Sequence, residues 1–587
     1  MLNFDEIILR AQYWATDRYF DPQTQKEIQS LLDDNNSKEL TERFYQDLEF
    51  GTGGLRGIIG AGTNRMNPYV VRRATQGLAN YINQQFPSME EPRVAISYDN
   101  RHFSPEFARE AAGVLAANGI RAFLFPELAP TPLLSFAVQE LRAQAGIMVT
   151  ASHNPPQYNG YKVYWDDGGQ VVAPHDDGII DQVNAINDFS NIKHIAWEDA
   201  LQAQKVEFIS DNLVETYYDN LNKLRFRDDF DPNIKIVYTP LHGAGYRYVI
   251  RALTERGFNH IIPVKEQCVY DPEFSTVKSP NPENPEAFEY AEKLAHLHEA
   301  DLILATDPDS DRMAVVARHL DRYYYFNGNQ TSALLAYYLF ESLEASHKLP
   351  PNPVLIKTIV TSDLQNRIAD RYKAECVEVL TGFKYIAEQM RLFETELDNR
   401  KQFVFGSEES YGYLAGTFVR DKDAVLACAL ISEMCAYYKK LGKTLYDVMV
   451  QLYLTFGYHT ESLINVNMKG VEGQEKIKLI MDALRQHSPR HIGSSKVVEI
   501  RDYLLQSGKN LVTGDQFSLP QPQSNVLTFV LEDGSKISAR PSGTEPKIKF
   551  YFGTMLPPIS TIDELIIQGK NKIKLLEDEF MKHINSI

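Results

Sequence analysis

One pattern constrains this chain more than any other. A short β-rich run, a helix and a second β-rich run recur three times, and each block ends on a polar loop crowded with reactive side chains. In the first block RVAISY (93–98) predicts a strand and SPEFAREAAGVLAANG a helix. Ser104 is the expected cap of that helix, Pro105 occupies its first turn and Asn118-Gly119 stops it. RAFLF, the helical TPLLSFAVQEL and the strand GIMVT follow, and GIMVT runs into ASHNPPQYNG. The second block reads KIVYT, a helix through YVIRALTERG, HIIPV, a helix around EAFEYAEKLAHLHEA, and DLILATD breaking into PDSDR. The third reads VLIKTIV, SDLQNRIADRY, CVEVL, KYIAEQMRLF and QFVF, running into GSEESYGY. Such βαβ text predicts largely parallel sheets covered on both faces. In open α/β sheets ligands gather beyond the carboxyl ends of strands, so these three loops are where a site is expected.

After the helical AVLACALISEMCAYYKKLG the text changes. NVLTFVLEDGSKISARPSGTEPKIKFYFG is β-rich, with Asp533-Gly534 as a hairpin signal between alternating runs. The closing IDELIIQGKNKIKLLEDEFMKHI has helical apolar spacing. A length of 587 residues carries a prior of roughly four domains at about 150 residues each. The breaks in the text place them at 1–205, 206–325, 326–455 and 456–587. The expected class is α/β: three related mixed α/β sheet domains and a smaller β-rich α+β domain at the C-terminus.

Charge narrows the partners. Lys and Arg number 60 against 78 Asp and Glu, a net −18 that repels phosphate polymers and anionic lipid, so no nucleic acid and no membrane surface are expected. A small phosphorylated ligand needs only local cations and stays open. No apolar run approaches the roughly 18 residues of a membrane helix. The best, from Ala424 to Ile431, is closed by Ser432 and Glu433. Asp5 and Glu6 stand where a secretory signal carries positive charge. Cys268, Cys376, Cys428 and Cys435 form no CxxC pair, so free thiols in a reducing cytoplasm are expected.

Four constellations carry chemistry. Asp307, Asp309 and Asp311 alternate in one loop, where three carboxylates can converge on a hard cation. A solvated acidic turn is the plainer reading of such a triplet, but the preceding strand DLILA favours a site. A calcium EF-hand fails, because Arg312 stands where its glycine belongs and Arg318 where its glutamate belongs. Mg²⁺ completed by water or a phosphate oxygen fits better. Thr150-Ala151-Ser152-His153-Asn154-Pro155 presents a serine just beyond a strand. It is equally a common turn, and it has neither the GxSxG elbow nor an SxxK pattern. Arg540, Ser542, Gly543, Thr544 and Lys547 together make a phosphate cradle, although a hairpin connection needs only the Pro and Gly among them. In Gly406-Ser407-Glu408-Glu409-Ser410-Tyr411-Gly412, Glu408 and Ser410 can face one way toward sugar hydroxyls, or the stretch is an ordinary polar loop. His296 and His298 read as solvated surface, and Pro489 breaks the helix that would align His487 with His491. Glycine-rich Gly51 to Gly57 lacks the Walker lysine.

Together these loops resemble one family, the α-D-phosphohexomutases, which include phosphoglucomutase and phosphomannomutase. TASHNP is similar to the family's phosphoserine loop, DPDSDR to its magnesium loop, GSEESYG to its sugar-specificity loop and RPSGTEPK to its phosphate-binding loop, in the family's order and spanning nearly the whole chain. TGFK at Thr381 to Lys384, GTGGLRG around Arg56, YDNR at Tyr98 to Arg101 and NGYK at Asn159 to Lys162 also match family positions. EESYGYLAGTFVRDKDAV is similar to the bacterial α-phosphoglucomutase branch and departs from the GEMSGH of dual-specificity enzymes, which favours glucose over mannose.

The resemblance implies domains arranged around a central cleft and a phosphorylated Ser152. It also implies Mg²⁺ held by Ser152, Asp307, Asp309 and Asp311, and glucose 1,6-bisphosphate as activator and intermediate. His153, Lys162, Arg312, Lys384 and Arg56 are the catalytic candidates. Thr381, Glu408, Ser410, Arg540, Ser542, Gly543, Thr544 and Lys547 are the substrate-binding ones. The expected activity is interconversion of glucose 1-phosphate and glucose 6-phosphate, by a monomer or dimer acting on a phosphorylated hexose. Phosphomannomutase, phosphopentomutase and glucose-1,6-bisphosphate synthase are the alternatives within the family, and a metal-dependent sugar phosphatase is the alternative outside it.

Overall fold

The computed structural model describes residues 3–50, 54–395, 400–468, 470–542, 547–558 and 561–587. The chain divides into two compact units: Met1–Val316 with Ala387–Asn399 and Gly412–Ala436, and Ala317–Ile386 with Arg400–Tyr411 and Tyr437–Ile587.

The first unit opens on helices Phe4–Thr16, Pro22–Asp33 and Ser37–Phe44, which the alternating text does not announce. Local chemistry starts them. Asn3 and Glu6 form a reciprocal capping box, and Asp21 caps a helix whose first residue is Pro22. Their apolar faces close a small core in which Trp14 stacks on Phe20 with ring centroids 4.3 Å apart.

A six-stranded sheet follows, built from β1 (Gly54–Ile58), β2 (Arg93–Tyr98), β3 (Arg121–Leu124), β4 (Ala145–Val149), β5 (Tyr158–Trp165) and β6 (Val206–Phe208). Its order is β1-β5-β4-β2-β3-β6. The inner strands β4, β2, β3 and β6 are parallel, and β5 and β1 add antiparallel, so the sheet is mixed. Their alternate buried residues join helices Pro68–Gln85 and Ser104–Ala117 in one core. Ser104 is not the cap of its helix. Phe103, with φ 64°, holds the cap position without a side-chain bond, and the Ser104 hydroxyl instead donates to Asp99 Oδ1 at 2.7 Å.

The second sheet of this unit contains β7 (Lys235–Thr239), β8 (His260–Pro263) and β9 (Leu302–Thr306), all parallel, with β10 (Met313–His319) beside β9. The segment Gly412–Ala436 contributes most of a buried helix, and its Glu433 pairs with Arg256 at 2.5 Å, both almost fully buried.

In the second unit β11 (Arg322–Phe326) leads to β12 (Pro353–Thr358), which lies between β13 (Glu375–Val379) and β14 (Gln402–Glu408) with both neighbours parallel to it. The C-terminal sheet is antiparallel: β15 (Tyr458–Asn467), β16 (His491–Ile492), β17 (Ser495–Asp502), β18 (Ser507–Asn510), β19 (Gln516–Ser518), β20 (Leu527–Leu531), β21 (Lys536–Pro541) and β22 (Lys547–Leu556). The β20–β21 hairpin turns at Gly534, whose φ of 80° suits glycine. Helices Gly470–Gln486 and Ile562–Asn585 cover this sheet. The architecture is therefore three α/β portions and a β-rich C-terminal one. All four cysteines are free. Among the described residues no helix is long and apolar enough to cross a membrane.

The Arg256–Glu433 pair is the sharpest test of the packing. Glu433 also accepts from the backbone N–H groups of Phe226 and Arg227, both at 3.0 Å. Removing the guanidinium strands a carboxylate in the interior, which costs about 3–5 kcal/mol. Arg256→Ala is expected to lose that much in urea unfolding of the first unit. A loss below 1 kcal/mol, an ordinary surface effect, contradicts the assignment.

Candidate active site

The serine loop is held from beneath by one buried arginine. Arg101, in the turn after β2, donates from Nη2 to the carbonyls of Ser152 and Asn154 at 2.5 Å each. Its Nη1 donates to those of Pro155 and Tyr158 at 2.9 and 3.0 Å. Asp99 steadies the same turn: its carboxylate accepts from the Arg101 N–H, the Thr150 hydroxyl and the Ser104 hydroxyl, and lies 3.2 Å from Arg101 Nε. Burial pushes the Asp99 carboxyl up and the Arg101 guanidinium down, each opposed by the attraction of the other. Three donors on the Asp99 oxygens favour the ion pair.

This support lets Ser152 sit at φ 51°, a left-handed conformation that costs a non-glycine residue about 1–3 kcal/mol. Its backbone N–H donates to Thr150 Oγ1 at 2.8 Å. Its hydroxyl donates to Asp307 Oδ2 at 2.6 Å and lies 3.2 Å from His153 Nδ1. The loop folds back at once as β5, antiparallel to β4, which places Lys162 opposite Met148. Gly160 is required in that return, because a Cβ there would stand 2.5 Å from the Thr150 carbonyl.

The acidic loop connects β9 to β10. Asp307, Asp309 and Asp311 are all buried, and a carboxylate oxygen of each lies within 4.8 Å of the others. Ser310, with φ 53°, makes the turn that brings them together. Asp307 Oδ1 accepts from the backbone N–H groups of Asp311 and Arg312 at 3.2 and 3.0 Å. Lys162 Nζ reaches Asp309 at 2.7 Å and Asp311 at 3.3 Å. Burial and the neighbouring aspartates push Asp307 well above the usual carboxylate range, whereas Lys162 holds Asp309 below it in spite of burial. Burial lowers the Lys162 ammonium, and the two carboxylates more than reverse that. Asp309 Oδ1 and Asp311 Oδ1 are buried with no hydrogen-bond partner among the described residues. Converging hard oxygens with unused lone pairs fit a divalent cation, so the three form a metal-binding acidic triad.

The remaining candidates in this unit lie around that centre. Burial, reinforced by Arg312 and Arg56, pushes His153 well down, so its imidazole is neutral. Arg312 donates to Glu283 at 2.6 Å, and Arg56 on β1 donates to Asn154 Oδ1 at 3.4 Å. Residues 51–53 lie outside the described residues.

In the second unit β14 runs through Gly406, Ser407 and Glu408, so half of the expected sugar loop is strand and only the residues after it turn. The cause is the parallel pairing with β12, where Lys357 faces Ser407. Glu408 is buried, and Glu409 accepts from Thr358 Oγ1 at 3.1 Å. Ser410 is half-buried. Arg540 on β21 pairs with Lys549, and the neighbouring Tyr551 hydroxyl is pushed up by burial, Glu409 and Glu408 while Arg540 pulls it down. Thr381 Oγ1 is buried without a hydrogen-bond partner among the described residues, and Lys384 Nζ lies 5.1 Å from the Tyr385 ring centroid. The Ser542 N–H donates to the Lys547 carbonyl at 3.1 Å; Gly543 and Thr544 lie outside the described residues.

Sequence reasoning missed two residues. Arg101 stood in the YDNR match without a role, and only the fold shows it reaching 51 to 57 residues onward. Lys422, in the DKD of 421–423, places Nζ 3.2 Å from Asp311 and 3.1 Å from Asp421. A lysine between two aspartates carries no signal of which carboxylate it serves.

Three family models match the chain. They are the α/β/α domains I, II and III of phosphoglucomutase/phosphomannomutase, over residues 47–189, 215–320 and 327–456. A phosphoglucomutase of Staphylococcus haemolyticus (strain JCSC1435) is 39% identical over 89% of this chain and 93% of its own length. One of Staphylococcus aureus (strain MRSA252) is 37% identical over 92% and 95%. Among solved structures, parafusin from Paramecium in its open form has a TM-score of 0.64 at 19% identity, covering 91% of this chain and 96% of that one. A phosphoglucomutase/phosphomannomutase family protein from Burkholderia thailandensis has a TM-score of 0.63 at 18% identity, covering 91% and 97%. The two structures support the fold.

The four carbonyls on Arg101 make its removal costly. Arg101→Met is expected to open the loop at 152–158 to limited proteolysis and to destabilise the protein by about 2–4 kcal/mol, because hydrogen bonds to a charged group contribute about 1.5–3 kcal/mol each and water recovers part of them. An uncut loop and unchanged stability would show that the carbonyls are held by something else.

Proposed function

The chain belongs to the phosphoglucomutase/phosphomannomutase family, and on that premise we propose that it is a phosphoglucomutase. It interconverts glucose 1-phosphate and glucose 6-phosphate through a phosphorylated Ser152 and a glucose 1,6-bisphosphate intermediate. The observation that carries the reading is the 2.6 Å bond from Ser152 Oγ to Asp307, which sets a strained serine against a buried acidic triad. A phosphate on that serine adds about −1.5 to −2 charges. Among three carboxylates it demands a compensating cation, so each loop explains the other. Asp307, Asp309, Asp311 and a phosphate oxygen on Ser152 would hold Mg²⁺, which neutralises charge and makes phosphorus more electrophilic.

In the forward half-reaction a sugar hydroxyl attacks phosphorus in line, the bond from phosphorus to Ser152 Oγ breaks and a bond to the sugar oxygen forms. The hydroxyl proton leaves and Oγ gains one. His153 Nδ1, 3.2 Å from Oγ, stands where that proton is held. Lys162 and Lys422, paired with Asp309 and Asp311, place ammonium groups beside the triad. The bisphosphate then turns end for end and returns its other phosphoryl group to Ser152, so the enzyme emerges unchanged.

A second grip holds the phosphate that does not react, at whichever end of the sugar it lies. Arg540, Ser542, Gly543, Thr544 and Lys547 are assigned that role, with Thr381, Lys384, Glu408 and Ser410 reading the sugar. Arg56 and Arg312 are assigned to the catalytic centre. Four domains at 1–205, 206–325, 326–455 and 456–587 carry one loop each. Excluding water protects the phosphoserine from hydrolysis.

Ser152→Ala is the direct test. Turnover is expected to fall by about a thousandfold or more, as for other covalent carriers. The folded variant should also take no label from radioactive glucose 1,6-bisphosphate. Near-normal turnover without label on the protein ends the proposal.

A second pair of variants separates the two grips. The planar Arg540 fork makes paired bonds to phosphate that other side chains do not replace, so Arg540→Ala should weaken kcat/KM for glucose 1-phosphate and mannose 1-phosphate alike, by about ten- to a hundredfold. Glu408→Gln should change the ratio between the two sugars as well as the rate. If Arg540→Ala shifts the ratio and Glu408→Gln does not, the roles are reversed.

A further inference from the structure

β5 serves the acidic triad with more than Lys162. Residues two apart on a strand share a face, so Tyr164 projects from the same face of β5 as Lys162. Tyr164 is fully buried, and its hydroxyl donates to Asp421 Oδ2 at 2.7 Å. Burial first, and Asp421 after it, push that hydroxyl well above its ordinary range, so it stays a proton donor. The other oxygen of Asp421 accepts twice from Lys422, from its backbone N–H at 2.7 Å and from Nζ at 3.1 Å. Lys422 Nζ in turn lies 3.2 Å from Asp311 Oδ2. A continuous line of polar contacts thus runs from inside the first sheet to the triad, through Tyr164, Asp421, Lys422 and Asp311.

That line answers an electrostatic problem. Lys162 Nζ meets the same oxygen, Asp311 Oδ2, at 3.3 Å, so two ammonium groups crowd one carboxylate oxygen. Like charges repel, and Lys422 works against the charge on Lys162. Asp421, only 3% exposed, supplies the countercharge that keeps Lys422 in place. A carboxylate so buried stays ionised and in one orientation when donors meet its oxygens, and at Oδ2 that donor is Tyr164. A phenylalanine would fill nearly the same volume, so packing does not account for the hydroxyl. Nor does the backbone around Asp421 depend on it. The Arg420 N–H donates to Ser135 Oγ at 2.8 Å, Gln139 to the Phe418 carbonyl at 3.1 Å, and the Tyr217 hydroxyl to Asp423 at 2.9 Å.

We propose that Tyr164 is a positioning residue for phosphoryl transfer, acting through Asp421 to fix the Lys422 ammonium at the triad. The inference rests on the phosphoglucomutase reading above and adds to it the group that aims one of its cations. An ammonium fixed in advance stabilises charge developing on the transferring phosphoryl group without having to reorganise. Tyr164 contributes by deciding where that ammonium is.

A double-mutant cycle on the full chain tests this. Tyr164→Phe should lower kcat about tenfold, as outer residues that orient a charged group do, and leave KM for glucose 1-phosphate nearly unchanged, because the interaction lost is one made in the transition state. Lys422→Met should lower kcat by about a hundredfold. Tyr164→Phe added to Lys422→Met should cost nothing further, because a hydroxyl that acts only through Lys422 then has nothing to position. A merely structural role would lower the thermal midpoint in both backgrounds and leave kcat per folded molecule intact, and that result overturns the proposal. It is overturned equally if Tyr164→Phe lowers kcat by the same factor with and without Lys422. Label from radioactive glucose 1,6-bisphosphate keeps the two claims apart. If the unaltered protein takes no label, the phosphoglucomutase reading itself fails. If it takes label and Tyr164→Phe turns over normally, only this inference fails.

Discussion

The serine loop of the first unit rests on a single buried guanidinium. A loop that presents a serine beyond a strand has carbonyl oxygens turned inward, and inward carbonyls without donors are costly. Arg101 answers four of them at once, and Asp99 answers Arg101. Only with those carbonyls fixed does Ser152 keep φ at 51° and direct its hydroxyl at Asp307. Arginine suits the task because its fork offers five donors in one plane, where lysine is a point charge.

The acidic triad poses the opposite problem. Three carboxylates so close repel one another, and burial magnifies the repulsion. The structure meets it with backbone N–H groups on Asp307, Lys162 on Asp309, and Lys162 with Lys422 on Asp311. Among the described residues, Asp309 Oδ1 and Asp311 Oδ1 remain without donors. The same residues that make the site unstable as an isolated cluster make it suited to a hard cation, and Lys162 is in reach only because β5 doubles back directly from the serine loop.

Much of this was legible in the text. The strands RVAISY, KIVYT and DLILA appear where alternation placed them, and the DG hairpin forms at Gly534, because period-two and period-3.6 patterns are local facts. The serine and aspartate loops meet as expected because both leave the carboxyl ends of strands. The failures are those of tertiary context. Ser104 lost its capping role to a buried carboxylate that wanted its hydroxyl. Gly406 and Ser407 stayed in a strand because β12 offered them pairing partners. The first three helices went unread because their caps are ordinary polar residues and their core is small. Arg101 and Lys422 look like any surface cations until the fold buries their surroundings.

Length scale reconciles an acidic chain with a phosphorylated substrate. A net −18 is a property of the whole surface, and at physiological ionic strength charges farther than about 8 Å are largely screened. A polymer of phosphates samples the whole surface and is repelled. A small phosphorylated ligand samples only a few side chains, and in the first unit Lys162, Lys422 and Arg312 gather cations around three aspartates. The total charge thus excludes one class of partner and says nothing about the other. What decides the small ligand is where the cations are fixed, and they are fixed by neighbours: Lys162 by Asp309, Arg312 by Glu283, Lys422 by Asp421. Carboxylates that raise the negative total are the same groups that hold the positive ones in place.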